Sequence, residues 1–217
     1  MSPLRSPYTP GADDERHGPF IVLEGVSGAG KTTLARLLAR RLDATAIHTL
    51  TGPHTEWSEA VNRQLRPLPQ FAFYLSGLLH VSDTVRQALA MRPVIADRYA
   101  SSVVACHAAV NRVGLDQARE LLQPFCSYLV APDVTFYLVS SATSLRERLK
   151  TKTDAKQDDI DLFGVPGRLG RLQKNFTAVA ETDPSAVLLA TDGRSSDELA
   201  DAVVEYLEDR RVPSDRH

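Results

Sequence analysis

Little cysteine, little net charge, few aromatic residues and no long apolar run set the first limits on this chain. Its 217 residues hold only two cysteines, Cys106 and Cys126, with no metal-ligand spacing. Both stand in apolar stretches and read as buried thiols, which excludes a disulfide scaffold and fits a reducing, cytoplasmic setting. The formal net charge of −2 gives the surface no general attraction to nucleic acid, so none is expected as a partner. No apolar run approaches the length of a membrane span, and the N-terminus lacks the apolar core of a secretion signal. The N-K-x-D segment that reads guanine in GTPase switches is absent. What remains is 43% hydrophobic and 24% charged, enough for one α/β domain with a substantial core.

The most informative residues present are Gly25-Val26-Ser27-Gly28-Ala29-Gly30-Lys31-Thr32, which spell G-x-x-x-x-G-K-T and are followed by Thr33. Phe20–Leu23 reads as a buried strand leading into them. Leu34, Leu37, Leu38 and Leu42 recur at helical spacing behind them. Strand, glycine-rich loop and helix is the context that gives this motif its meaning. The glycines let consecutive N–H groups turn inward toward phosphate oxygens, and the helix start adds unpaired N–H groups and partial positive charge. Lys31 would reach the β- and γ-phosphates of ATP, and the Thr32 hydroxyl would ligate Mg²⁺.

Around the motif, strand-like and helix-like segments alternate, as in a parallel sheet with helices on both faces. Strands are expected at 20–23, 44–48, 93–96, 134–138 and 186–189. Helices are expected at 57–65, 70–91, 101–113, 116–130, 142–152 and 168–182, with a polar loop at 153–166. Ser195 and Glu198 form a capping box for a last helix. Residues 1–18 and 209–217 are rich in polar and charged side chains and read as tails around one domain, 19–208. A second cluster, Asp97-Arg98-Tyr99, ends the short third strand. An acid there, beside the phosphate-loop strand, suits a magnesium-organising carboxylate, and Arg98 suits a phosphate clamp. Ligands of such sheets bind at the carboxyl ends of the strands, where both clusters fall.

From these residues the chain resembles the thymidylate kinase family. Phe20–Thr33 is similar to that family's F-I-x-x-E-G-x-D-G-A-G-K-T-T opening. Asp97-Arg98-Tyr99 with Ser102 and Ala105 is similar to its D-R-Y-x-x-S-x-x-A, and Pro132–Leu138 to its P-D-L-T-x-x-L strand. The resemblance implies a three-layer P-loop kinase fold, α/β, with a five-stranded parallel sheet and a lid at about 150–168. It implies transfer of the γ-phosphoryl group of ATP, with Mg²⁺, to a nucleoside monophosphate, foremost dTMP. Gly25, Ser27, Gly28, Ala29, Gly30, Lys31, Thr32 and Thr33 would hold ATP, and Thr32 and Asp97 the metal. Lys31, Asp97, Arg98 and a lid cation would act on the phosphoryl group. The lid candidates are Arg146, Arg148, Lys150, Lys152, Lys156, Arg168 and Arg171, with Arg148 first. Ser27, Phe73, His80, Arg98, Tyr99 and Ser102 would meet the acceptor. A homodimer through the helices at 70–91 and 101–113 is also implied.

The departures from the family fall on the acceptor side. Ser27 replaces an aspartate, the R-E-P-G loop survives only as Leu50-Thr51-Gly52-Pro53, an arginine becomes Gly77, a glutamine becomes Leu79, and Y-Q becomes Cys106-His107. A charged hydrogen bond at a desolvated site is worth about 1.5–3 kcal/mol. Two such losses would reshape acceptor affinity unless other groups replace them. Arg63, Arg66, Arg86 and Arg112 are candidates, and Phe71, Phe73, Tyr74 and Tyr99 are available for stacking. Three functions therefore stay open: a nucleotide kinase, a kinase of a nucleoside, modified nucleotide or hydroxylated metabolite, and an ATP-binding module without turnover.

Overall fold

The structure, a computed structural model, describes residues 9–10, 16–152 and 157–211. In chain order the elements are β1 (Phe20–Glu24), α1 (Lys31–Arg41), β2 (Thr45–His48), α2 (Pro53–Gln64), α3 (Pro67–Leu89) and β3 (Val94–Asp97). They continue with α4 (Ala100–Asn111), α5 (Leu115–Leu122), a 3-10 helix over Gln123–Tyr128, β4 (Val134–Val139) and α6 (Ala142–Lys150). The last four are α7 (Gln157–Gly164), α8 (Arg168–Ala180), β5 (Ala186–Ala190) and α9 (Ser196–Arg211).

The sheet is five-stranded and parallel, in the order β2-β3-β1-β4-β5. Central β1 is buried along its whole length. Its apolar run follows from having helices on both faces, and successive side chains enter different cores. Ile21 and Leu23 join Leu34, Leu38, Phe136, Leu145 and Val203 on one face. Phe20 and Val22 join Leu78, Val81, Val94, Ala96 and Val103 on the other. The chain order reverses between β3 and β1, so the carboxyl ends of these two strands border the crevice in which such sheets bind ligands.

Several boundaries differ from expectation for identifiable reasons. The expected helix at 116–130 breaks at Leu122, because Pro124 supplies no N–H and the chain continues as a 3-10 turn. The expected polar loop at 153–166 contains α7, which buries Leu162 and Asp159 while Ile160 faces solvent. Arg16 and His17 are not part of a loose tail. Arg16 lies 3.7 Å from the Asp133 carboxylate, and His17 N–H donates to the Leu89 carbonyl at 2.8 Å. At the other end α9 runs on to Arg211. Residues 1–8, 11–15 and 212–217 of the expected tails, and Lys156, lie outside the described residues. Cys126 is exposed and Cys106 only half-buried, so the expectation of two buried thiols is corrected. The Ser195–Glu198 capping box is present, with Ser195 N–H donating to Glu198 at 2.7 Å and Glu198 N–H to Ser195 Oγ at 3.2 Å.

Candidate active site

The phosphate loop turns sharply out of β1. Gly25 has φ 135° and passes so close to β4 that a Cβ would sit 2.7 Å from the Leu138 carbonyl oxygen. Gly28, at φ 80°, lies against α6, where a Cβ would meet Leu149 at 3.1 Å. Both positions demand glycine. Gly30 caps α1, Lys31 begins the helix, and Thr32 and Thr33 stand exposed in its first turn.

Lys31 is buried, and its ammonium donates to the Val26 carbonyl at 2.7 Å. Burial, and then the nearby Arg98 cation, push its pKa down from 10.5 to about 7, against the pull of Asp97 and Glu24. Thr32 Oγ1 donates to Asp97 Oδ2 at 2.5 Å. The other oxygen, Asp97 Oδ1, is buried with no hydrogen-bond partner. Buried polar atoms are nearly always paired, so this oxygen lacks a partner that a cation would supply. One carboxylate and one hydroxyl form a sparse oxygen set. That suits Mg²⁺, which keeps several waters and takes further ligands from substrate phosphates.

Arg98 sits at φ 73°, an uncommon value for a residue with a Cβ. Its guanidinium donates to the Gly25 carbonyl at 3.2 Å and to Ser102 Oγ at 3.1 Å. The residue that fixes this corner is Glu24, fully buried at the end of β1. Its Oε1 accepts from the N–H groups of Tyr99 at 2.8 Å and Ser102 at 3.0 Å, and its Oε2 from the Ser102 hydroxyl. Burial raises the Glu24 pKa, while Ser102 and Arg98 oppose the rise. A carboxylate from β1 thus satisfies N–H groups at the N-terminus of α4 and holds Arg98 beside the phosphate loop.

The structure brings Gly25, Ser27, Gly28, Ala29, Gly30, Lys31, Thr32, Asp97, Arg98 and Ser102 together. It sends Tyr99 elsewhere. That ring is buried edge-on against Phe20, 5.1 Å between centroids, so the expectation of a Tyr99 contact to the acceptor is corrected. The positive φ of Arg98 turns the chain between the two side chains. Ser102 serves as a partner of Glu24 and Arg98. On α3, half-buried Phe73 packs 5.3 Å from the His54 ring, and exposed His80 stacks on His54 at 6.2 Å. The space beside Gly77 is filled by Leu50 and His54, whose atoms would lie 3.0 and 3.3 Å from an added Cβ.

Among the other cations, Arg63 pairs with Glu59, and Arg86 turns inward to Asp83 and the Tyr128 carbonyl. Arg148, expected over the phosphates, donates to the Thr191 carbonyl at 2.7 Å, Thr191 Oγ1 at 3.0 Å and the Ala29 carbonyl at 3.2 Å. It braces the loop against the end of β5. Arg146 lies over the Phe163 ring at 4.8 Å, and Arg168 binds Asp161 at 2.5 Å. Arg171 donates to the Ala109 and Pro166 carbonyls. Sequence reasoning missed two acids, Glu24 and Asp159. Glu24 carried a signal, as a charged residue closing the otherwise apolar run of β1. Asp159 Oδ1 accepts from Ser27 Oγ at 2.5 Å across a separation of 132 residues, which no local pattern betrays.

A parallel sheet, a glycine loop around a buried lysine and a strand-end Asp-Arg pair define a P-loop phosphotransferase. The family model described as "Thymidylate kinase" matches residues 23–191. The chain is 26% identical to the probable thymidylate kinase of Methanocaldococcus jannaschii over 194 residues, which covers 87% of this chain and 95% of that protein. It is 28% identical to the thymidylate kinase of a Synechococcus strain over 194 residues, 83% and 91% of the two chains. A structure of thymidylate kinase from Candida albicans shares the fold, with a TM-score of 0.76, 17% identity and coverage of 91% of this chain and 94% of that one. The chain belongs to the thymidylate kinase family, and it is an ATP-using phosphotransferase with a nucleotide substrate. No helix among the described residues is long and apolar enough to cross a membrane.

Proposed function

We propose that the chain transfers the γ-phosphoryl group of ATP to dTMP, giving dTDP and ADP, with Mg²⁺ bound at Thr32 and Asp97. The observation that carries this reading is the constellation around Lys31. A buried ammonium, the Thr32–Asp97 pair and Arg98 meet at the ends of β1 and β3 in a chain of this family. Phosphoryl transfer needs alignment and charge neutralisation more than covalent chemistry. Lys31 neutralises the migrating group, the loop N–H groups hold the donor, and Arg98 receives the acceptor phosphate. Mg²⁺, when bound, supplies further charge neutralisation on the phosphate oxygens. Phe73 offers a flat face for the acceptor base, with His80 and His54 behind it.

The filled space at Gly77 favours a second reading, in which the same site phosphorylates a different nucleotide or nucleoside. We further propose a cytoplasmic homodimer paired through α3 and α4, which a monomer by light scattering would refute. The deciding experiment is ADP release with Mg·ATP against common nucleoside monophosphates, their nucleosides and a blank without acceptor. Turnover on dTMP well above the other acceptors and absent in Lys31→Ala supports the proposal. Turnover confined to another acceptor replaces it with the second reading. ATP binding with no turnover on any acceptor refutes both.

A further inference from the structure

A groove of about 660 Å³ lies between the end of α4, the start of α5 and α8. That is the size of a small-molecule site. Three cations line it, Arg112, Arg171 and Lys174, and no carboxylate does. Ala108, Val113 and Leu115 give it an apolar floor. In a chain of net charge −2, three cations around one concavity are a local field, not the general character of the surface. The groove also stands apart from the phosphate loop. On α4 the residue that meets Arg98 is Cys106, whose Sγ lies 3.9 Å from the guanidinium. Ala108 follows two residues later, about 200° around the helix, so the groove opens on the far side of α4 from Arg98.

The cations are held ready. Arg112 ends α4 at φ 55°, in the left-handed position that glycine usually fills, and the Val113 N–H closes the turn on the Ala108 carbonyl at 3.2 Å. Arg112 and Lys174 are exposed and have no hydrogen-bond or ion-pair partner among the described residues. Arg171 donates through Nε to the Ala109 carbonyl at 3.0 Å and through Nη1 to the Pro166 carbonyl at 3.1 Å. Those two bonds fix its planar fork and leave Nη2 without a partner among the described residues. A fixed guanidinium with a free nitrogen, flanked by two more cations, suits phosphate oxygens. Three cations exceed the charge of one phosphate monoester and match linked phosphates. The apolar floor offers a flat ring a surface to cover. A nucleic acid strand would need a longer basic face than this one concavity.

We propose that this groove binds a small polyphosphate ligand, with a nucleoside polyphosphate as the form that uses both the cations and the floor. It is a second anion site, separate from the phosphate loop and independent of the acceptor. Its walls belong to the helix that follows Arg98 and to the helix that follows α7. A ligand there touches, from outside, the supports of both halves of the candidate active site.

Amide NMR spectra of the isotopically labelled protein, read residue by residue, separate this groove from the phosphate loop. Tripolyphosphate and ATP are each titrated into the parent, with sulfate as the control for charge alone. Both are expected to move the amides of 112–115 and 174–178 saturably, whatever happens at 25–33. ATP is expected to saturate the groove at a concentration about tenfold below tripolyphosphate, because its ring covers the floor. Equal saturation by the two assigns the groove to the phosphate chain and overturns the nucleoside part. Groove shifts no tighter than those with sulfate, or none at millimolar ligand, overturn the whole proposal. Lys174→Glu and Arg112→Gln, each first shown to fold by circular dichroism and thermal melting, are expected to weaken groove binding about tenfold or more. Lys174→Glu should leave the shifts at 25–33 as they are in the parent. Groove affinity within about threefold of the parent in both variants overturns the proposal. Lys31→Ala is expected to weaken the phosphate loop and keep the groove, so a failed kinase reading and a failed groove give different spectra.

Discussion

Lys31 should take up a proton when Mg·ATP binds, and the size of that uptake follows from its burial. In the ligand-free protein its pKa lies at about 7, down from 10.5, chiefly because burial disfavours the ammonium and then because Arg98 is near. That displacement corresponds to about 5 kcal/mol of preference for the neutral amine. At pH 8 a group with pKa 7 is about nine-tenths neutral, so binding phosphates that demand the charged form draws about 0.9 proton from solution. At pH 6 the lysine is already charged and uptake falls to about 0.1 proton. Calorimetry in buffers of different ionisation enthalpy reads this number directly. The same group acts on stability in the ligand-free protein. Between about pH 7 and 10.5 the unfolded chain holds the proton and the folded chain does not, so this lysine makes stability rise with pH across that window. Below pH 7 the folded protein carries a buried ammonium at a cost. Lys31→Met removes that cost and should raise the unfolding free energy at pH 6 by about 2–5 kcal/mol while abolishing turnover. Proton uptake at pH 8 below about 0.2, or a Lys31→Met protein less stable than the parent at pH 6, would refute this account of the phosphate loop.

Two further expectations concern the scaffold. Glu24→Ala leaves the Tyr99 and Ser102 N–H groups and the Ser102 hydroxyl buried without their acceptor, and should cost about 3–5 kcal/mol by denaturant titration. Glu24→Gln keeps the Oε1 acceptor and should lose less than half of that. Gly28→Ala forces a Cβ into a left-handed backbone position and 3.1 Å from Leu149, so the loop must shift. The strain is about 1–2 kcal/mol, and Mg·ATP affinity by calorimetry should drop roughly tenfold.

The parts of the site legible in the sequence are those set by local geometry. A phosphate loop is a contiguous run whose glycines answer backbone needs, and its flanking strand and helix have their own periodicities. Asp97 could be placed because a short apolar run ended at it. Legibility fails where the chain folds back on itself. Glu24 meets Ser102 across 78 residues, and Ser27 meets Asp159 across 132. Tyr99 was misjudged because the left-handed turn at Arg98 breaks the alternation that would otherwise say which way its ring points. The helix at 157–164 hid among acids that read as loop, although acids in a first turn favour a helix start, and buried Leu162 with half-buried Phe163 supplies its inner side.

The same contrast explains why the donor half of this site matches the family and the acceptor half does not. In the proposed reading ATP is held largely by backbone N–H groups, a lysine and a hydroxyl, and these parts fail together if the loop changes. An acceptor pocket is built from side chains on separate helices, so its members can be exchanged one at a time. Gly77 shows how far such an exchange has gone. The volume that an arginine side chain would need is occupied by Leu50 and His54, with His54 Nε2 bonded to Ser76 Oγ at 3.2 Å and its ring stacked toward Phe73 and His80. Restoring a guanidinium there requires moving α2 as well as changing one residue. A hydrogen bond from a charged group gives way to neutral and aromatic contacts, which forgoes about 1.5–3 kcal/mol of charged recognition. If the proposed reading holds, selectivity among acceptors rests on ring shape against Phe73 and on Arg98, which Ser102 holds beside the phosphate loop.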